Sequence, residues 1–501
     1  MLDQLTFLPT RLAGHIQLTV LTMLIGTTVS VGLGLSISRS KSLRGPVLGI
    51  VGLIQTIPGL AMLAIMVPLI GIGFLPALVA LSLYSMLPIL RNTVVGISEV
   101  DEAVVEAARG VGMTPNQVLR RVQLPLAAPM IIGGIRTATV WTVGMATLAT
   151  PIGATSLGNY IFAGLQTNNN AAIFVGCGSA ALLAIVLDGI IYGIESAARR
   201  RSRRLFVAML VSLLVVVAAG FAETVRRVAQ SSTRREVRIG SKAFTEQYIL
   251  SELLAIKIAR DTGRPTNVRQ GLGSTVAFNA LAADELDVYV DYSGTIWATI
   301  LKETKLIDPR TMIDIITERL DREYGIKVVG PLGFENAYGL AMRRDHAKRL
   351  SLSSISDLHR HDQDLVFAGD MEFLARAEYA NLIERNNLEF KEVVAMDAAL
   401  MYQALAGARV DIISAYTTEG KIEAFDLAIL EDDVDAFPPY DAILLVAPGA
   451  ANDMPELVAS LEGLVNTLSA DRMRRANWSV DESHRSIRDV AAELLRPADK
   501  P

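Results

Sequence analysis

Four tyrosines stand beside short segments rich in β-branched and apolar residues. They are Tyr292 in "DVYVDYSG", Tyr338 in "GFENAYGL", Tyr416 in "DIISAYTT" and Tyr440 in "FPPYDA". A quaternary ammonium has no N–H to donate, so the face of an electron-rich ring is its natural partner, at about 0.5–2 kcal/mol per ring. If the four segments converge on one cleft, the sequence predicts an aromatic box for such a cation. For each tyrosine taken alone, packing in a protein core explains the position equally well.

The elements that must position these tyrosines lie in residues 236–501. "VRIGSKAFTEQYILSELLAIKIARDTG" predicts a strand, a glycine-containing turn and an amphipathic helix that ends at Gly263. Further β-rich segments are "LDVYVDYSG", "IKVVGPLG", "DLVFAGD", "VDIISAYTT" and "AILLVAPG". Their alternation with helical patterns indicates an α/β architecture with mainly parallel sheets, long enough for two lobes. Ligands of such sheets bind at the carboxyl ends of the strands, where the tyrosines are found.

The first half of the chain has the composition of a membrane protein. Before Glu99 the only acidic residue is Asp3. A helix needs about 20 apolar residues to cross the hydrocarbon layer, and only helices or closed barrels satisfy their backbone groups there. Six helical spans are therefore predicted, at residues 15–36, 47–70, 74–90, 130–147, 171–194 and 205–222.

Lysine and arginine in the short loops predict the orientation of these spans. The basic loops are "RSKSLR" at residues 39–44, the insert at 91–129, and "RRRSRR" at 199–204, and they alternate correctly for the cytoplasmic side. The N-terminus and everything after Ala222 then lie outside. Asp188 falls near the cytoplasmic end of the fifth span, and a hydrogen bond within the bundle is preferred over a place on an ion path.

Two further features limit the functions available to the chain. The net charge of -5 argues against nucleic acid as a partner. Cys177 is the only cysteine, so an intrachain disulfide and a cysteine-based zinc site are excluded, and its apolar surroundings predict a packing residue.

A polar insert at residues 99–129 interrupts the apolar first half. "TPNQ", beginning at Thr114, is a capping box that predicts a helix running to about Gln123 and ended by Pro125. Gly110 and Gly112 predict a sharp joint after an earlier helical stretch. Two short helices joined in this way suit a docking surface, and an amphipathic connector accounts for the composition equally well.

The insert resembles the EAA loop in the permease subunits of ATP-binding cassette (ABC) importers. The loop has the form EAA-x3-G-x9-I-x-LP, with valine here in place of isoleucine. The matching positions are Glu106, Ala107, Ala108, Gly112, Val122, Leu124 and Pro125. The resemblance implies a coupling helix that enters a cleft of an ATPase subunit. The sequence contains no G-x-x-x-x-G-K-[ST] motif, so the ATPase is expected on a separate polypeptide.

Residues 236–496 resemble the substrate-binding proteins of the glycine betaine/choline/carnitine type. The matching blocks are "IGSKAFTEQYIL", "GLGSTVAFNAL", "DVYVDYSGTIW" and "AYTTEGKI". In that family a tyrosine box holds the trimethylammonium group, and the resemblance places it at Tyr292, Tyr338, Tyr416 and Tyr440. Residues of the first lobe hold the polar end of the ligand. The candidates here are Ser241, Lys242, Thr275 and Thr295.

This chain departs from the family blocks in ways that bear on the ligand. It has "DYSGT" for E-Y-T-G-T, "ENAY" for N-N-T-Y and "TTEG" for S-T-D-G. Glu335, in the second of these, is expected near the cleft, where it would favour a cation. Asp370, Glu372 and Arg376 in "DMEFLAR" are expected to cap or clamp the cleft, and salt bridges between the lobes explain them as well.

The whole chain is thus similar to a permease fused to a substrate-binding protein. The resemblance implies a polytopic α-helical membrane domain like a type I ABC importer permease, followed by an α/β two-lobed domain like a type II periplasmic binding protein. The expected boundaries are residues 1–198 for the permease with its 99–129 loop, and 199–235 for the basic loop, sixth helix and linker. The binding domain follows at 236–501, with one lobe at 236–335 and 441–496 and the other at 336–440.

The expected function is ATP-driven uptake of a quaternary-ammonium osmoprotectant across a bacterial cytoplasmic membrane, with the binding domain outside. The expected partners are two ATPase subunits, a second copy of the permease, the ligand and membrane lipid. The chain is expected to bind no cofactor or metal and to catalyse no reaction, since the partner uses the ATP. Uptake of a related betaine such as ergothioneine is one alternative. A transmembrane sensor without transport is another, and it leaves the EAA-like loop unexplained.

Overall fold

The computed structural model describes residues 7–38, 40–167, 169–230, 235–303, 307–434 and 436–496. The chain forms two compact units. The helical unit comprises Met1–Ile161 and Phe174–Ser231, and the α/β unit comprises Phe162–Ile173 and Ser232–Pro501.

Long apolar helices dominate the N-terminal half. Five described helices are long and apolar enough to cross a membrane, and the number becomes six if a bent pair is counted as one span. The described α-helices of this half are Leu8–Ser38, Lys41–Thr56, Gly59–Ile70, Phe74–Ser98, Glu102–Gly110, Pro115–Val118, Leu124–Ala146, Gly158–Gln166, Asn170–Arg200 and Arg203–Gln230. A π-helical turn at Leu119–Gln123 and a 3-10 helix at Thr147–Ile152 complete the set.

The second predicted span, residues 47–70, is two apolar helices joined by a break instead of one continuous helix. The helices on either side of Pro58 are bent by 95° relative to each other. Proline lacks an N–H and disfavours the helical conformation in the residue before it, and Ile57 is accordingly extended, with ψ 128°. The freed carbonyl of Ile57 accepts a hydrogen bond from the Tyr84 hydroxyl.

The first and fourth helices of the bundle, Leu8–Ser38 and Phe74–Ser98, pack closely through small residues. A Cβ on Gly26 would come within 1.9 Å of the Ser85 Oγ, so any larger residue there would force Ser85 to move. The Ser82 hydroxyl donates to the Leu78 carbonyl at 2.6 Å, which satisfies it without a partner helix. Small residues that let backbones approach are typical of helices packed within a membrane.

The last two helices of this half differ from the predictions at three points. The basic "RRRSRR" segment is not a separate loop, because only residues 201 and 202 lie between the helices Asn170–Arg200 and Arg203–Gln230. The final helix continues to Gln230, well past the predicted end at residue 222, because the segment 223–230 stays helical. The rest of the predicted linker includes residues 231–234, which lie outside the described residues. Cys177 is exposed on its helix rather than packed in a core.

Within the described residues of the α/β unit, ten strands form two five-stranded sheets. They are β1 (Val237–Lys242), β2 (Thr266–Leu272), β3 (Val288–Tyr292), β4 (Lys327–Glu335), β5 (Tyr338–Arg343), β6 (Val366–Gly369), β7 (Glu392–Ala395), β8 (Ile412–Tyr416), β9 (Leu427–Leu430) and β10 (Asp441–Val446). The first sheet has the order β2-β1-β3-β10-β4, and the second has the order β7-β6-β8-β5-β9. Each sheet is the centre of one lobe.

Helices surround both sheets. The described α-helices are Thr245–Thr262, Ser274–Ala282, Ser293–Thr295, Pro309–Tyr324, Arg344–Leu350, Met371–Leu374, Ala377–Asn386, Ala398–Ala406, Lys421–Ala424, Pro448–Asp453, Pro455–Glu462, Ala470–Asp481 and Ile487–Leu494. A π-helical turn at Ile296–Ile300 and 3-10 helices at Ser356–Arg360 and Asp362–Asp364 are also present.

The sheets are mixed, whereas the sequence predicted mainly parallel ones. β1 pairs in parallel with β2 and β3, and β6 pairs in parallel with β7 and β8. β10 is antiparallel to β3 and β4, and β5 is antiparallel to β8 and β9. Both exceptions are strands by which the chain enters a sheet from the other one, since β5 follows the crossing after β4 and β10 returns from β9. They therefore run against their neighbours.

The predicted strands in the six quoted segments are confirmed, and so is the helix that ends at Gly263. That glycine caps Thr245–Thr262 with φ +65°, a left-handed conformation that suits glycine. Four strands were missed, namely β2, β5, β7 and β9. β7 and β9 have only four residues each, and β2 carries polar residues on a half-buried strand, so their apolar patterns are weak. β5 is almost entirely buried, and its six residues include a glycine and no β-branched residue.

Candidate ligand-binding site and coupling loop

A cavity of about 350 Å³ opens at the carboxyl ends of strands from both sheets. Its lining includes Lys242, Phe244, Gly273, Ser274, Tyr292, Thr295, Asn336, Asp370, Glu372, Arg376, Met396, Tyr416 and Tyr440. The first lobe supplies the residues after β1, β2 and β3, and the second supplies those after β6, β7 and β8. A volume of this size is in the range of roughly 300–1,000 Å³ usual for small-molecule sites.

Aromatic rings make up one part of the wall. Tyr292, Tyr416 and Tyr440 line the cavity. Tyr338 is not among the described lining residues and packs behind them, with its ring centroid 4.7 Å from that of Tyr416 and 5.4 Å from that of Tyr440. The hydroxyls of Tyr338 and Tyr416 are 2.9 Å apart and hydrogen-bonded. The second lobe thus holds Tyr338, Tyr416 and Tyr440 as one cluster.

Phe244 adds a further ring, which the sequence reasoning did not single out. Its ring stacks on Tyr416, with centroids 5.4 Å apart and an interplanar angle of 19°, and lies 6.0 Å from Tyr292. Because Phe244 belongs to the first lobe and Tyr416 to the second, the stacked pair joins the two lobes at the cavity. The only signal in the sequence was its place in "SKAFTEQ", directly after a predicted strand.

Glu246 orients Tyr292 from beneath the cavity. The Tyr292 hydroxyl donates to Glu246 Oε1 at 2.6 Å, and Asn336 Nδ2 donates to the same oxygen at 3.1 Å. The other oxygen accepts from the Thr418 hydroxyl at 2.6 Å and from Asn477 Nδ2 at 3.1 Å. Burial raises the pKa of Glu246, although the hydrogen bonds from the four donors act to lower it. We call Glu246 with these four partners the Glu246 cluster.

Arg376 and Glu378 hold Tyr440 on the second-lobe side. The Tyr440 hydroxyl donates to Glu378 Oε1 at 2.6 Å, and an Arg376 terminal nitrogen lies 3.4 Å from the same oxygen. The other terminal nitrogen of Arg376 donates to Glu372 Oε1 at 2.6 Å. The Arg376 guanidinium also lies over the Tyr338 ring, 5.2 Å from its centroid, so a cation already covers that ring.

The polar insert of the helical unit forms two helices joined by a tight turn. Glu102–Gly110 begins at Asp101, whose side chain accepts from the Ala103 N–H at 2.9 Å. Gly112, at φ +82°, makes the turn. The predicted capping box is confirmed, because Gln117 Oε1 accepts from the Thr114 N–H at 2.8 Å and Thr114 Oγ1 accepts from the Gln117 N–H at 3.4 Å.

Pro125 does not end the helix that the capping box begins, so that prediction was wrong. Pro115–Val118 continues through the π-helical turn into Leu124–Ala146. The Leu124 N–H bonds the Leu119 carbonyl, five residues back, and this wider turn makes room for a proline that has no N–H of its own. The loop is therefore continuous with a long apolar helix.

The EAA-like residues are split between a packed face and an exposed face. Ala108 is buried with Val105 and Val118 in a small apolar core. Glu106, Ala107, Gly112 and Pro125 are exposed, and Leu124 is half-buried. Val111 beside them is 76% exposed. The arrangement presents a rigid surface with charged and apolar groups, as expected for a docking site.

Comparisons with known proteins agree with both units. Residues 235–496 match the substrate-binding domain of the ABC-type glycine betaine transport system, and residues 26–223 match the binding-protein-dependent transport system inner membrane component. An ergothioneine transport permease/ergothioneine binding protein of Helicobacter pylori (strain G27) is 30% identical over 90% of this chain and 83% of its own length. This chain belongs to the glycine betaine-type family of ABC importers.

Two further relatives of this importer each match one half of it. The choline transport system permease protein of Bacillus subtilis (strain 168) is 48% identical over 35% of this chain and 80% of its own length. The carnitine transport binding protein of Listeria monocytogenes (strain 10403S) is 29% identical over 53% of this chain and 87% of its own length. The importer thus joins in one polypeptide a membrane permease and a periplasmic-type binding domain, and works with an ATPase partner and a small-molecule substrate.

The four candidates for the ligand's polar end have different places in this importer. Lys242 and Thr295 line the cavity. The Lys242 ammonium is already paired with the buried Asp291 carboxylate, so it is not a free counter-ion for a ligand carboxylate. Ser241 is fully buried and bonds the Lys242 carbonyl, and Thr275 lines a neighbouring cavity. Asp291 and Thr295 follow from the "DYSGT" block, but the pairing of Lys242 had no signal in the sequence.

The acidic residues near the cleft also separate. Glu335 is exposed at the end of β4 and is not among the described lining residues. Asp370 lines the cavity and caps Met371–Leu374, accepting from two backbone N–H groups at 2.9 Å, and burial raises its pKa. Burial acts to raise the pKa of Glu372 as well, but Arg376 and Lys242 hold it below its usual value.

Asp188 forms an ion pair within the helical unit. Arg136 contacts it with two nitrogens, at 2.6 and 2.8 Å, and the Arg136 guanidinium lies 4.9 Å from the centre of the Tyr192 ring. The expected hydrogen bond within the bundle is therefore present. Its partner was not anticipated, although Arg136 lies inside the predicted 130–147 span.

Asp481 is another buried carboxylate of the binding domain, and it allows a test of how the stability of the domain depends on pH. Asp481 is 1% exposed and accepts from the Thr245 hydroxyl at 2.6 Å. Burial raises its pKa to about 7, from an ordinary value of about 3.9. The folded domain therefore binds an extra proton between these values. The stabilisation from this proton is complete below about pH 4 and is lost as the pH rises through 7.

We expect Asp481→Asn to make the unfolding temperature less dependent on pH between 5 and 8, because asparagine keeps the acceptor oxygen without the charge. The effect on the free energy of unfolding is at most about 4 kcal/mol, for a shift of about three pKa units. Calorimetry on the full chain in detergent at four pH values measures it. Asp471→Asn changes an exposed carboxylate on the same helix and is the matched control. Equal pH dependence in Asp481→Asn and the unmodified chain would contradict this account.

Proposed function

We propose that this importer takes up a small trimethylammonium compound, with the binding domain as its receptor. The observation that carries the proposal is the cavity, where rings of Phe244, Tyr292, Tyr416 and Tyr440 come from both lobes. Burial raises the pKa of Tyr292 and Tyr416, so both phenols stay neutral at physiological pH. Faces of neutral aromatic rings attract a cation that has no hydrogen to donate.

The charges of the wall support a cationic ligand. Four carboxylates line the cavity, from Asp370, Glu372, Asp397 and Glu419, against two cationic side chains. Lys242 is neutralised by Asp291, Arg376 is paired with Glu372, and the Lys421 ammonium lies 4.0 Å from Glu419. Asp370 and Asp397 leave the lining negative. A ligand with a positive end therefore gains from the surrounding charge, and a simple anion does not.

The names of the relatives support two groups of trimethylammonium ligands, the osmoprotectants and ergothioneine. Choline and carnitine appear in the names of relatives that match one half of the chain. Ergothioneine, a betaine that also carries a trimethylammonium group, appears in the name of the relative that matches 90% of it. We propose that the ligand is a trimethylammonium compound. Within that class ergothioneine is the alternative to choline, carnitine and glycine betaine, and the relative that matches 90% of the chain favours it.

The membrane and partner arrangement follows the family. We propose that the permease forms a homodimer in a bacterial cytoplasmic membrane, surrounded by lipid, and works with two copies of a separate ATPase that contacts the EAA-like loop. The binding domain is on the outer side. ATP is used by the partner, and this chain binds no cofactor, metal or nucleic acid and catalyses no reaction. ATP-dependent uptake into vesicles distinguishes this proposal from a sensor, which would bind without transport.

Titration calorimetry on the full chain in detergent tests the ligand class. We expect binding of at least one of choline, glycine betaine, carnitine and ergothioneine, and none of proline at the same concentration. The reason is that the secondary ammonium of proline keeps N–H donors and its hydration, which an aromatic wall does not replace. Binding of proline without binding of any trimethylammonium compound would contradict the proposal.

A further inference from the structure

A second cavity, of about 460 Å³, adjoins the aromatic one. The two share Gly273, Ser274, Glu372 and Arg376 as wall residues. The second cavity is otherwise lined by Thr275, Val276, Ala298, Thr299, Ala375 and Glu378, and no aromatic residue is among its described lining residues. Like the first, it has walls from both lobes, because residues 273–299 belong to the first lobe and residues 372–378 to the second.

Three side chains of this second cavity have buried polar atoms without a hydrogen-bond partner in the described part of the chain. The atoms are Arg376 Nε, Glu378 Oε2 and Thr299 Oγ1. Arg376 and Glu378 are only 8% and 3% exposed. Their other polar atoms are all engaged, since Glu378 Oε1 accepts from Tyr440 and the terminal nitrogens of Arg376 contact Glu372 and Glu378. Buried groups left in this way are costly, and a ligand that completes their bonds gains affinity.

The chemistry of these atoms defines what would fit beside them. A carboxylate oxygen only accepts, and a guanidinium nitrogen only donates, so the occupant needs one donor and one acceptor. A free carboxylate on the ligand would meet Arg376 but also the negative charges of Glu372 and Glu378. A neutral group with an O–H or N–H satisfies Glu378 Oε2 without that repulsion.

We infer that the second cavity is a compartment of the ligand site and takes a neutral, hydrogen-bond-donating end of the ligand while the aromatic cavity holds the ammonium. The inference rests on the proposed function for the ammonium end. It assigns Glu378, Thr299 and Arg376 to specificity. The importer therefore favours trimethylammonium compounds that carry an O–H or a ring N–H over short betaines that carry only a carboxylate.

Titration of the full chain in detergent with choline, ergothioneine and glycine betaine tests the inference. Choline provides an O–H and ergothioneine a ring N–H, whereas glycine betaine has neither. At least one of the first two is expected to bind more tightly than glycine betaine. Glu378→Gln keeps the oxygen that Tyr440 contacts and replaces the free acceptor with an NH₂ donor. We expect it to reduce the affinity ratio of the donor-bearing ligand to glycine betaine by about tenfold or more.

Two further variants complete the test. Thr299→Val removes only the hydroxyl and should lower the same ratio by a smaller factor. Glu384→Gln makes the same change as Glu378→Gln on the exposed face of the helix Ala377–Asn386, and should leave the ratio unchanged.

The outcomes separate this inference from the proposed function. If Glu378→Gln leaves the affinity ratio between the donor-bearing ligand and glycine betaine unchanged, the second compartment is overturned. An equal loss of affinity for all ligands also overturns it, because Glu378 would then act only by positioning Tyr440. Tighter binding of glycine betaine than of both other ligands to the unmodified chain also overturns it. If no trimethylammonium compound binds the unmodified chain, the proposed function itself fails.

Discussion

Glu106→Ala is expected to reduce ATP-driven uptake to background while leaving ligand affinity unchanged. Glu106 is exposed on the helix Glu102–Gly110, whose packing depends on Val105 and Ala108 instead. Loss of its side chain therefore removes a charge from the docking surface without opening the small apolar core beneath it. Uptake into vesicles that contain the partner ATPase measures the first effect, and calorimetry measures the second.

Glu102→Ala provides the matched control for this loop. Glu102 is also exposed and lies one turn earlier on the same helix, outside the EAA-like motif. It should keep most of the uptake activity. Loss of both uptake and ligand binding in Glu106→Ala would show that the variant is misfolded. Normal uptake in Glu106→Ala would show that Glu106 does not belong to the coupling surface. A helix-breaking change at Leu119, at the start of the π-helical turn, should abolish uptake in the same way as Glu106→Ala.

Tyr416→Leu is expected to weaken ligand binding at least tenfold. The substitution keeps an apolar side chain but removes the ring that stacks on Phe244 and packs against Tyr338. Each ring around a cation contributes about 0.5–2 kcal/mol, and removal of Tyr416 also leaves Phe244 without its stacking partner. Titration calorimetry with the tightest of the four trimethylammonium compounds measures the loss.

Tyr416→Phe tests whether the ring itself is responsible. It removes only the hydroxyl, which is bonded to the Tyr338 hydroxyl, and keeps the ring. Affinity should fall by no more than about fivefold, the size of a single neutral hydrogen bond of about 1 kcal/mol. Equal losses in the leucine and phenylalanine variants would show that the hydroxyl network, and not the aromatic face, determines affinity. Tyr292 is less suitable for this comparison because its hydroxyl belongs to the Glu246 cluster.

The positions of Tyr292 and Tyr416 were predictable because the ends of their strands can be read from local patterns. Tyr292 and Tyr416 terminate β3 and β8, whose β-branched residues are plain in the sequence, and both line the cavity. The depth of Tyr338 was not predictable, because it depends on which rings of the same lobe lie in front of it. The same holds for Phe244, since its stacking partner comes from a strand more than one hundred residues later in the sequence.

The sequence also left open which charged side chains pair with each other and how each proline disturbs its helix. Lys242 resembles a ligand counter-ion until its contact with Asp291 is known. Pro58 and Pro125 are both prolines in largely apolar segments, yet the chain bends by 95° at Pro58 and continues as a helix through a π-helical turn at Pro125. Residue type shows that a proline must disturb the helix, but the surrounding packing determines how.

The Glu246 cluster has a consequence for the affinity of the receptor. Thr418 belongs to the second lobe, whereas Glu246 and Asn477 belong to the first, so the two lobes share one buried carboxylate. Separating the lobes would take the Thr418 donor away from the buried Glu246 carboxylate. This hydrogen bond therefore stabilises the contact between the lobes before a ligand adds its own contacts. The ligand then needs to supply less of the free energy of closure. We therefore expect tighter capture and slower release than in a receptor whose lobes share no buried carboxylate, and Thr418→Val should speed release.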